Sequence, residues 1–119
     1  MRIVQVIHVK GEESIEEAIK IHEKVYSILL DSGNPKAVVK TLGGTGNTHN
    51  WEISRQIVQA VKVPVFFAGG LNSSNVTDAI NIVKPIAVDV CSGVRTNGIL
   101  DDGKLLSFIA AVRGAENHV

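Results

Sequence analysis

The chain has 119 residues, of which 45% are hydrophobic and 20% are charged, so it is long enough for one globular domain with its own core. Twelve basic and twelve acidic residues give a formal net charge of zero, which excludes the basic surface that binding to a nucleic acid requires. The single cysteine argues against a disulfide framework, and the first residues lack the pattern of a secretory signal peptide. The chain also lacks the apolar run of about 20 residues that a membrane span needs. We therefore expect a cytoplasmic protein.

Four short segments rich in β-branched and apolar residues predict strands, at residues 3–9, 27–31, 63–68 and 86–91. A segment with apolar residues at helical spacing follows each of them. Strands that alternate with crossover helices form a parallel sheet with right-handed connections. Two architectures then remain open, a doubly wound sheet and a (β/α)8 barrel.

Short polar residues and helix breakers predict where the helices begin and end. Each of the four helical segments is preceded by residues that commonly cap helices. The predicted starts are Ser14 (with Glu17 completing a capping box), residues 48–50, residues 72–74 and Asp101, and the predicted ends of the third and fourth helices are Pro85 and Gly114.

Residues that could carry chemistry follow every predicted strand. Ligands of parallel α/β proteins bind at the carboxyl ends of the strands. Turns made of small residues leave backbone N–H groups uncovered there, and such groups suit a phosphate. The candidates are His8, Asp31, the glycine-rich turn 43–46, Gly69 with Gly70, and Asp89 with Ser92 and Gly93.

Several of these residues also have a purely structural interpretation. Asp31 is followed by Ser and Gly and could simply close its turn. A histidine on an apolar strand, such as His8, is more often a hydrogen-bonded core residue than a catalyst, and Cys91 is expected to be a small buried residue. Trp51 is expected to anchor its helix by packing. No cluster has metal-ligand spacing, so neither a metal nor a cofactor is expected.

Three stretches of the sequence, taken together and in order, resemble the carboxyl-terminal half of the phosphoribosylanthranilate isomerases: LLDSG…LGGTGNTHNW, PVFFAGGLNSSNV and VDVCSGVRTNGILD…K. The resemblance spans nearly the whole chain and favours the barrel over the doubly wound sheet. It implies four consecutive β/α units that form half of a (β/α)8 TIM barrel, so that residues 1–119 are a single half-barrel domain with strands five to eight.

The activity implied by this resemblance is the Amadori rearrangement of N-(5-phosphoribosyl)anthranilate in tryptophan biosynthesis. Asp31 would be the general acid that protonates the furanose ring oxygen, a role that needs a partly protonated carboxyl group and hence a water-poor site. Asp89 would bind the substrate near the sugar or the anthranilate amine. The phosphate would be bound at Gly69, Gly70, Ser92 and Gly93, with Gly44, Thr45 and Gly46 nearby.

The sequence also departs from the family pattern. The KxCG motif that carries the family's general base does not occur in these 119 residues, and neither does the QLHG motif. A half-barrel has two exposed sheet edges that need partners. Three interpretations remain: one part of an isomerase whose complementary half-barrel brings the base, a half-barrel homodimer in which Cys91 or His8 is an improvised base, or a non-catalytic module that binds a ribose phosphate. We expect the chain alone to be inactive.

Overall fold

A computed structural model describes residues 2–33 and 46–116, except for the side chains of residues 46–50 and 116. Strands and helices alternate along the chain, as predicted. The elements are β1 (Val4–His8), α1 (Glu13–Ile21), β2 (Ser27–Asp31), α2 (Gly46–Ala60), β3 (Val65–Ala68), α3 (Val76–Val83), β4 (Ala87–Val88), β5 (Arg95–Thr96), β6 (Ile99–Leu100) and α4 (Asp102–Glu116), with 3₁₀ turns at His22–Lys24 and Ser92–Val94.

The first four strands form one parallel sheet in the order β1-β2-β3-β4. A doubly wound sheet reverses its strand order part-way, whereas here each strand lies beside the next one in the sequence. Right-handed crossovers then leave every helix on the same face of the sheet. The prediction of an α/β fold with parallel strands is therefore confirmed, and the strand order excludes the doubly wound alternative that the sequence pattern left open.

The two faces of this sheet differ sharply in exposure. Ile7, Leu30 and Phe67 are fully buried in a core that they share with the helices. Their neighbours along the strands point the other way because side chains alternate in a strand, and on that face Val6 is 41% and Phe66 37% exposed. The register aligns this second set in one row across the sheet: Val6, Leu29, Phe66 and Ala87. We call this surface the open face.

Trp51 packs at the centre of the buried side, as predicted. It is buried in α2, and its ring meets that of Phe67 edge-on, with the centroids 6.4 Å apart and the planes at 79°. This is a favourable arrangement of two aromatic rings. This contact fixes α2 against β3, the strand that leads into Gly69.

The predicted capping box at Ser14 is wrong. Helix α1 begins one residue earlier, at Glu13, and no side chain caps it. The buried hydroxyl of Ser14 instead accepts a hydrogen bond from the Lys10 N–H (3.0 Å) and donates one to the His8 carbonyl oxygen (3.4 Å). Ser14 therefore ties the start of α1 back to the end of β1, because the loop between them supplies nearer partners than the helix does.

Four further boundaries differ from the predictions. Helix α2 starts at Gly46, two residues before the predicted cap, and α3 has Asn75 as its N-cap, both within the usual ambiguity of helix ends. Helix α4 continues through Gly114 to Glu116, because Ala115 in its last turn is buried. The predicted fourth strand pairs with β3 over only two residues. Helix α3 does end before Pro85, as predicted.

A short antiparallel hairpin was not predicted. Strands β5 and β6 pair through Thr96 and Ile99 around a turn in which Asn97 and Gly98 have φ values of 53° and 80°. An Asn-Gly pair with both residues at positive φ is the strongest short hairpin signal in a sequence. The sequence therefore contains the hairpin signal, but it lies in a segment that the strand–helix pattern assigns to the connection between a strand and a helix. None of the helices in the described ranges is long and apolar enough to cross a membrane.

Candidate functional site

A cavity of about 230 Å³ lies at the carboxyl ends of β2, β3 and β4. Five of the residues predicted from the sequence as site residues help to line it. They are Asp31, Gly69, Gly70, Asp89 and Ser92. The ends of three parallel strands thus bring two carboxylates and two small-residue turns around one space.

Asp31 is the last residue of β2, and its carboxyl group is contacted at both oxygens. Oδ1 accepts a hydrogen bond of 2.9 Å from the N–H of Gly33, and Oδ2 lies 3.4 Å from Nδ1 of His8. The side chain is still 36% exposed, because it stands on the open face of the sheet. The water-poor environment expected for a general acid is therefore not provided by the described residues alone.

Asp89 follows β4 directly and extends its pairing with β3, since its N–H donates to the carbonyl oxygen of Phe67 at 2.9 Å. Its side chain is exposed and lines the cavity. The sequence pattern Val88-Asp89-Val90 predicted that this carboxylate would point away from the valine side chains. The exposure of Asp89 agrees with that prediction, since Val88 and Val90 pack against the core.

The turn after β3 needs glycine for two reasons. Gly69 and Gly70 have φ values of 107° and 67°, a region that residues with a Cβ rarely adopt. A Cβ on Gly69 would also lie 2.7 Å from the backbone nitrogens of Ser32 and Gly33. The Ser32 hydroxyl donates to the carbonyl oxygens of Ala68 and Gly69, at 3.1 and 3.2 Å. The turns after β2 and β3 therefore pack directly on each other.

The turn after β4 packs equally tightly against the segment that follows β3. A Cβ built on Gly93 would lie 1.8 Å from the carbonyl oxygen of Leu71, so only glycine fits there. Asn75 braces the same region by donating to the carbonyl oxygen of Gly70 at 3.0 Å. Among the hydrogen bonds of the described residues, none is donated by the backbone N–H of Gly70 or Ser92.

The remaining predicted site residues take other positions. Gly93 brings two turns together but is not among the described residues that line the cavity. Gly46 is the first residue of α2, and Gly44 and Thr45 lie outside the described residues.

Two structural expectations near the site are wrong. Cys91 is exposed and lines the cavity instead of being buried, because its strand pairs over only two residues and ends before it. His8 is not a core residue, since its side chain is 68% exposed and faces Asp31. The described residues contain no group of three or more His, Cys, Asp or Glu side chains that could hold a metal ion.

Residues 1–111 match the family model described as N-(5'phosphoribosyl)anthranilate (PRA) isomerase. The chain belongs to this isomerase family. A relative from Methanocella arvoryzae, named N-(5'-phosphoribosyl)anthranilate isomerase, is 40% identical over 114 residues, which are 95% of this chain and 51% of the relative. The chain therefore spans about half the length of the relative.

Solved structures of the isomerase family agree with the fold. The phosphoribosyl anthranilate isomerase from Thermococcus kodakaraensis superposes with a TM-score of 0.76 at 33% identity, covering 95% of this chain and 53% of that one. A second family structure, in complex with reduced 1-(o-carboxyphenylamino)-1-deoxyribulose 5-phosphate, gives a TM-score of 0.71 at 29% identity, covering 96% and 50%. Again about half of each isomerase corresponds to this chain.

Proposed function

We propose that this chain supplies the general acid and the phosphate site of an N-(5-phosphoribosyl)anthranilate isomerase, and that a complementary half-barrel supplies the general base. The observation that carries the proposal is the cavity at the strand ends, where Asp31 and Asp89 stand beside the turns at Gly69–Gly70 and Ser92. The proposed reaction is the one for which the family is named, and the cavity is where these residues lie close enough together to act on one substrate.

In the proposed mechanism Asp31 acts first. Its carboxyl group donates a proton to the furanose ring oxygen, the bond between that oxygen and C1 breaks, and C1 and the anthranilate nitrogen form a protonated imine. A base then removes the proton from C2, and the resulting enol takes up a proton at C1 and loses the proton of its C2 hydroxyl to become the ketone of the product. Asp31 suits the first step because its carboxyl group lines the cavity and is oriented by the Gly33 N–H, which holds Oδ1.

The phosphate is proposed to bind at the two turns, between the N–H groups of Gly70 and Ser92. Backbone N–H groups around a concave surface are a common phosphate site. The positive φ values at Gly69 and Gly70 favour glycine, and because glycine has no side chain, none stands in the path of the ligand at these two positions. Asp89 is proposed to bind the sugar or the anthranilate amine and not the phosphate, because a carboxylate and a phosphate repel each other.

The size of the cavity supports a divided site. Small-molecule sites usually enclose about 300 to 1,000 Å³, whereas the cavity here measures about 230 Å³. A complementary segment would close the rest of the site and exclude the water that now reaches Asp31.

The open face supports the same arrangement. Parallel sheets are normally covered on both faces, and this one leaves Val4, Val6 and Phe66 exposed, at 52%, 41% and 37%. In a (β/α)8 barrel this face would become the packed interior. We propose that residues 1–119 form a half-barrel domain whose open face packs against four further strands, in the reducing setting of the cytoplasm.

The test is a fluorescence assay of substrate conversion with the purified chain, alone and mixed with the complementary half of the Methanocella arvoryzae relative. We expect activity only in the mixture. Activity of the chain alone, together with a dimeric solution mass, would instead favour the homodimer with a base recruited from Cys91 or His8.

A binding measurement separates the remaining alternative. Reduced 1-(o-carboxyphenylamino)-1-deoxyribulose 5-phosphate is titrated into the chain, with inorganic phosphate as the competitor. If this ligand binds but neither mixture nor chain converts substrate, the chain is a ribose-phosphate binding module. If it does not bind to the mixture, the proposed function is wrong.

A further inference from the structure

The pairing of β1 with β2 places His8 directly across from Asp31. Both residues are the last of their strands, and their neighbours Ile7 and Leu30 are fully buried on the opposite face. The alternation of a strand therefore turns both side chains to the open face. Nδ1 of His8 then lies 3.4 Å from Oδ2 of Asp31, close enough for an ion pair.

The backbone around this pair is firmly held. The N–H of Val9 donates to the carbonyl oxygen of Asp31 at 2.9 Å. The hydroxyl of Ser14 is hydrogen-bonded to both the Lys10 N–H and the His8 carbonyl oxygen. The end of β1 is thereby fixed on one side to β2 and on the other to α1. The contact between His8 and Asp31 follows from this anchored geometry.

The imidazole lies on the β1 side of the carboxyl group, whereas the cavity lies at the ends of β2, β3 and β4. Asp31 lines the cavity, whereas His8 is not among the described residues that do so. One carboxyl oxygen is held by the Gly33 N–H, and a carboxyl group held at only one oxygen can still turn about its last torsion angle. A donor at the second oxygen restricts that rotation.

We infer that His8 is a positioning residue for Asp31: its Nδ1–H holds Oδ2 and keeps the carboxyl group in the orientation that the proton transfer needs. The inference rests on the proposed function of Asp31 as the acid. It does not require His8 to touch the substrate. A misoriented acid weakens the transition state more than it weakens substrate binding, so the loss should appear in kcat.

The pairing itself is tested first, on the chain as it exists. The ¹⁵N signals of the His8 ring, identified by their absence in His8→Asn, are compared between the wild type and Asp31→Asn. Because a hydrogen-bond partner decides which ring nitrogen carries the proton, we expect Asp31→Asn to shift them. Ring signals unchanged in Asp31→Asn would overturn the inference. This measurement needs no activity, so it is separate from the success of the proposed function.

The kinetic test uses the reconstituted barrel. His8→Leu should lower kcat by about two- to tenfold, as expected for the loss of a hydrogen bond to a neutral carboxyl group, and should leave KM within about twofold. His8→Asn, whose amide can donate from a similar place, should recover most of kcat. Glu23→Gln, in the exposed 3₁₀ turn that precedes β2 at the opposite end of the sheet, is the control and should leave kcat nearly unchanged.

Equal kcat values for His8→Leu and the wild type would overturn the positioning role, as would a loss in Glu23→Gln as large as that in His8→Leu. If His8→Asn does not recover kcat, this result also counts against the positioning role, because a hydrogen-bond donor at this position would then not be enough to orient Asp31. If the wild-type barrel itself is inactive, the proposed function has failed, and the ring signals still decide whether the two side chains are paired.

Discussion

The contact between Gly93 and Leu71 allows a sharp test of how the site is built. A Cβ added at Gly93 would lie 1.8 Å from the carbonyl oxygen of Leu71 and 2.9 Å from its carbonyl carbon. Real Cβ contacts are essentially never shorter than 3.0 Å. Both neighbouring atoms belong to the backbone, so Gly93→Ala must move the turn after β4 away from the turn after β3 by roughly 1 Å.

The cost follows from that displacement. Overpacking at a rigid site destabilises a protein by about 1 to 3 kcal/mol. With a urea m-value of about 1 to 3 kcal/mol/M for a small domain, the midpoint of unfolding should fall by about 1 M. The displacement also separates the N–H groups of Gly70 and Ser92. Losing one hydrogen bond to a phosphate costs about 1.5 to 3 kcal/mol. The affinity for reduced 1-(o-carboxyphenylamino)-1-deoxyribulose 5-phosphate, the product analogue, should therefore drop about tenfold or more.

Unfolding can be followed through Trp51, the only tryptophan of the chain and a buried one. Gly114→Ala is the matched control, because Gly114 lies in α4 with nothing within 4 Å of its added Cβ. The better helix former should stabilise the chain by about 0.5 to 1 kcal/mol. The reasoning is refuted if Gly93→Ala unfolds at the wild-type urea concentration and binds the analogue with unchanged affinity.

Three other predictions concern the acid, the two sheet faces and acid stability. Asp31→Asn should abolish isomerisation in the reconstituted barrel while analogue binding stays near normal; strong remaining activity would remove Asp31 from the role. Phe67→Ala should destabilise the isolated chain by about 3 to 5 kcal/mol because it empties the core, whereas Phe66→Ala on the open face should cost less than about 1 kcal/mol and instead weaken binding of the complementary half. The reverse ranking in urea unfolding would contradict this account of the two faces. The hydroxyl of Thr96, which donates to Oδ2 of Asp101 at 2.7 Å, lowers the pKa of that carboxyl group, with help from the backbone N–H of Lys104 at the start of α4. Because the folded state has the lower pKa, this stabilisation is present above the ordinary pKa and is lost as the pH falls through the folded one. Asp101→Asn should therefore lose less stability than the wild type on acidification; equal losses in urea unfolding across that pH range would contradict the assignment.

Much of the fold was predictable because local patterns carry it. The second strand, Ser27–Asp31, was predicted with its observed ends, since a compact apolar run between polar segments has little alternative. The end of α3 before Pro85 was equally secure, because proline cannot continue a helix. Ser14 shows the limit of such signals. Its spacing to Glu17 fits a capping box, yet its hydroxyl is bonded to the preceding loop.

The histidines show the same limit at the site. His22 reads from the sequence as a surface residue, but it is buried and its Nδ1 accepts a hydrogen bond from the N–H of Lys62 at 3.3 Å. His8 reads as a core residue, but it faces Asp31 on the open face. Both errors arise because a strand or turn has two sides, and which side is buried depends on the helices that pack against it.

The sequence by itself determined the alternation of strands and helices, the strand ends at which Asp31, Gly69 and Asp89 stand, and the family resemblance. These follow from periodicity and from motifs that are contiguous along the chain. Only the tertiary structure decided that strand order is sequential, that one sheet face is open, and that His8 meets Asp31. Those features depend on register and on contacts between residues distant in sequence, which no local pattern specifies.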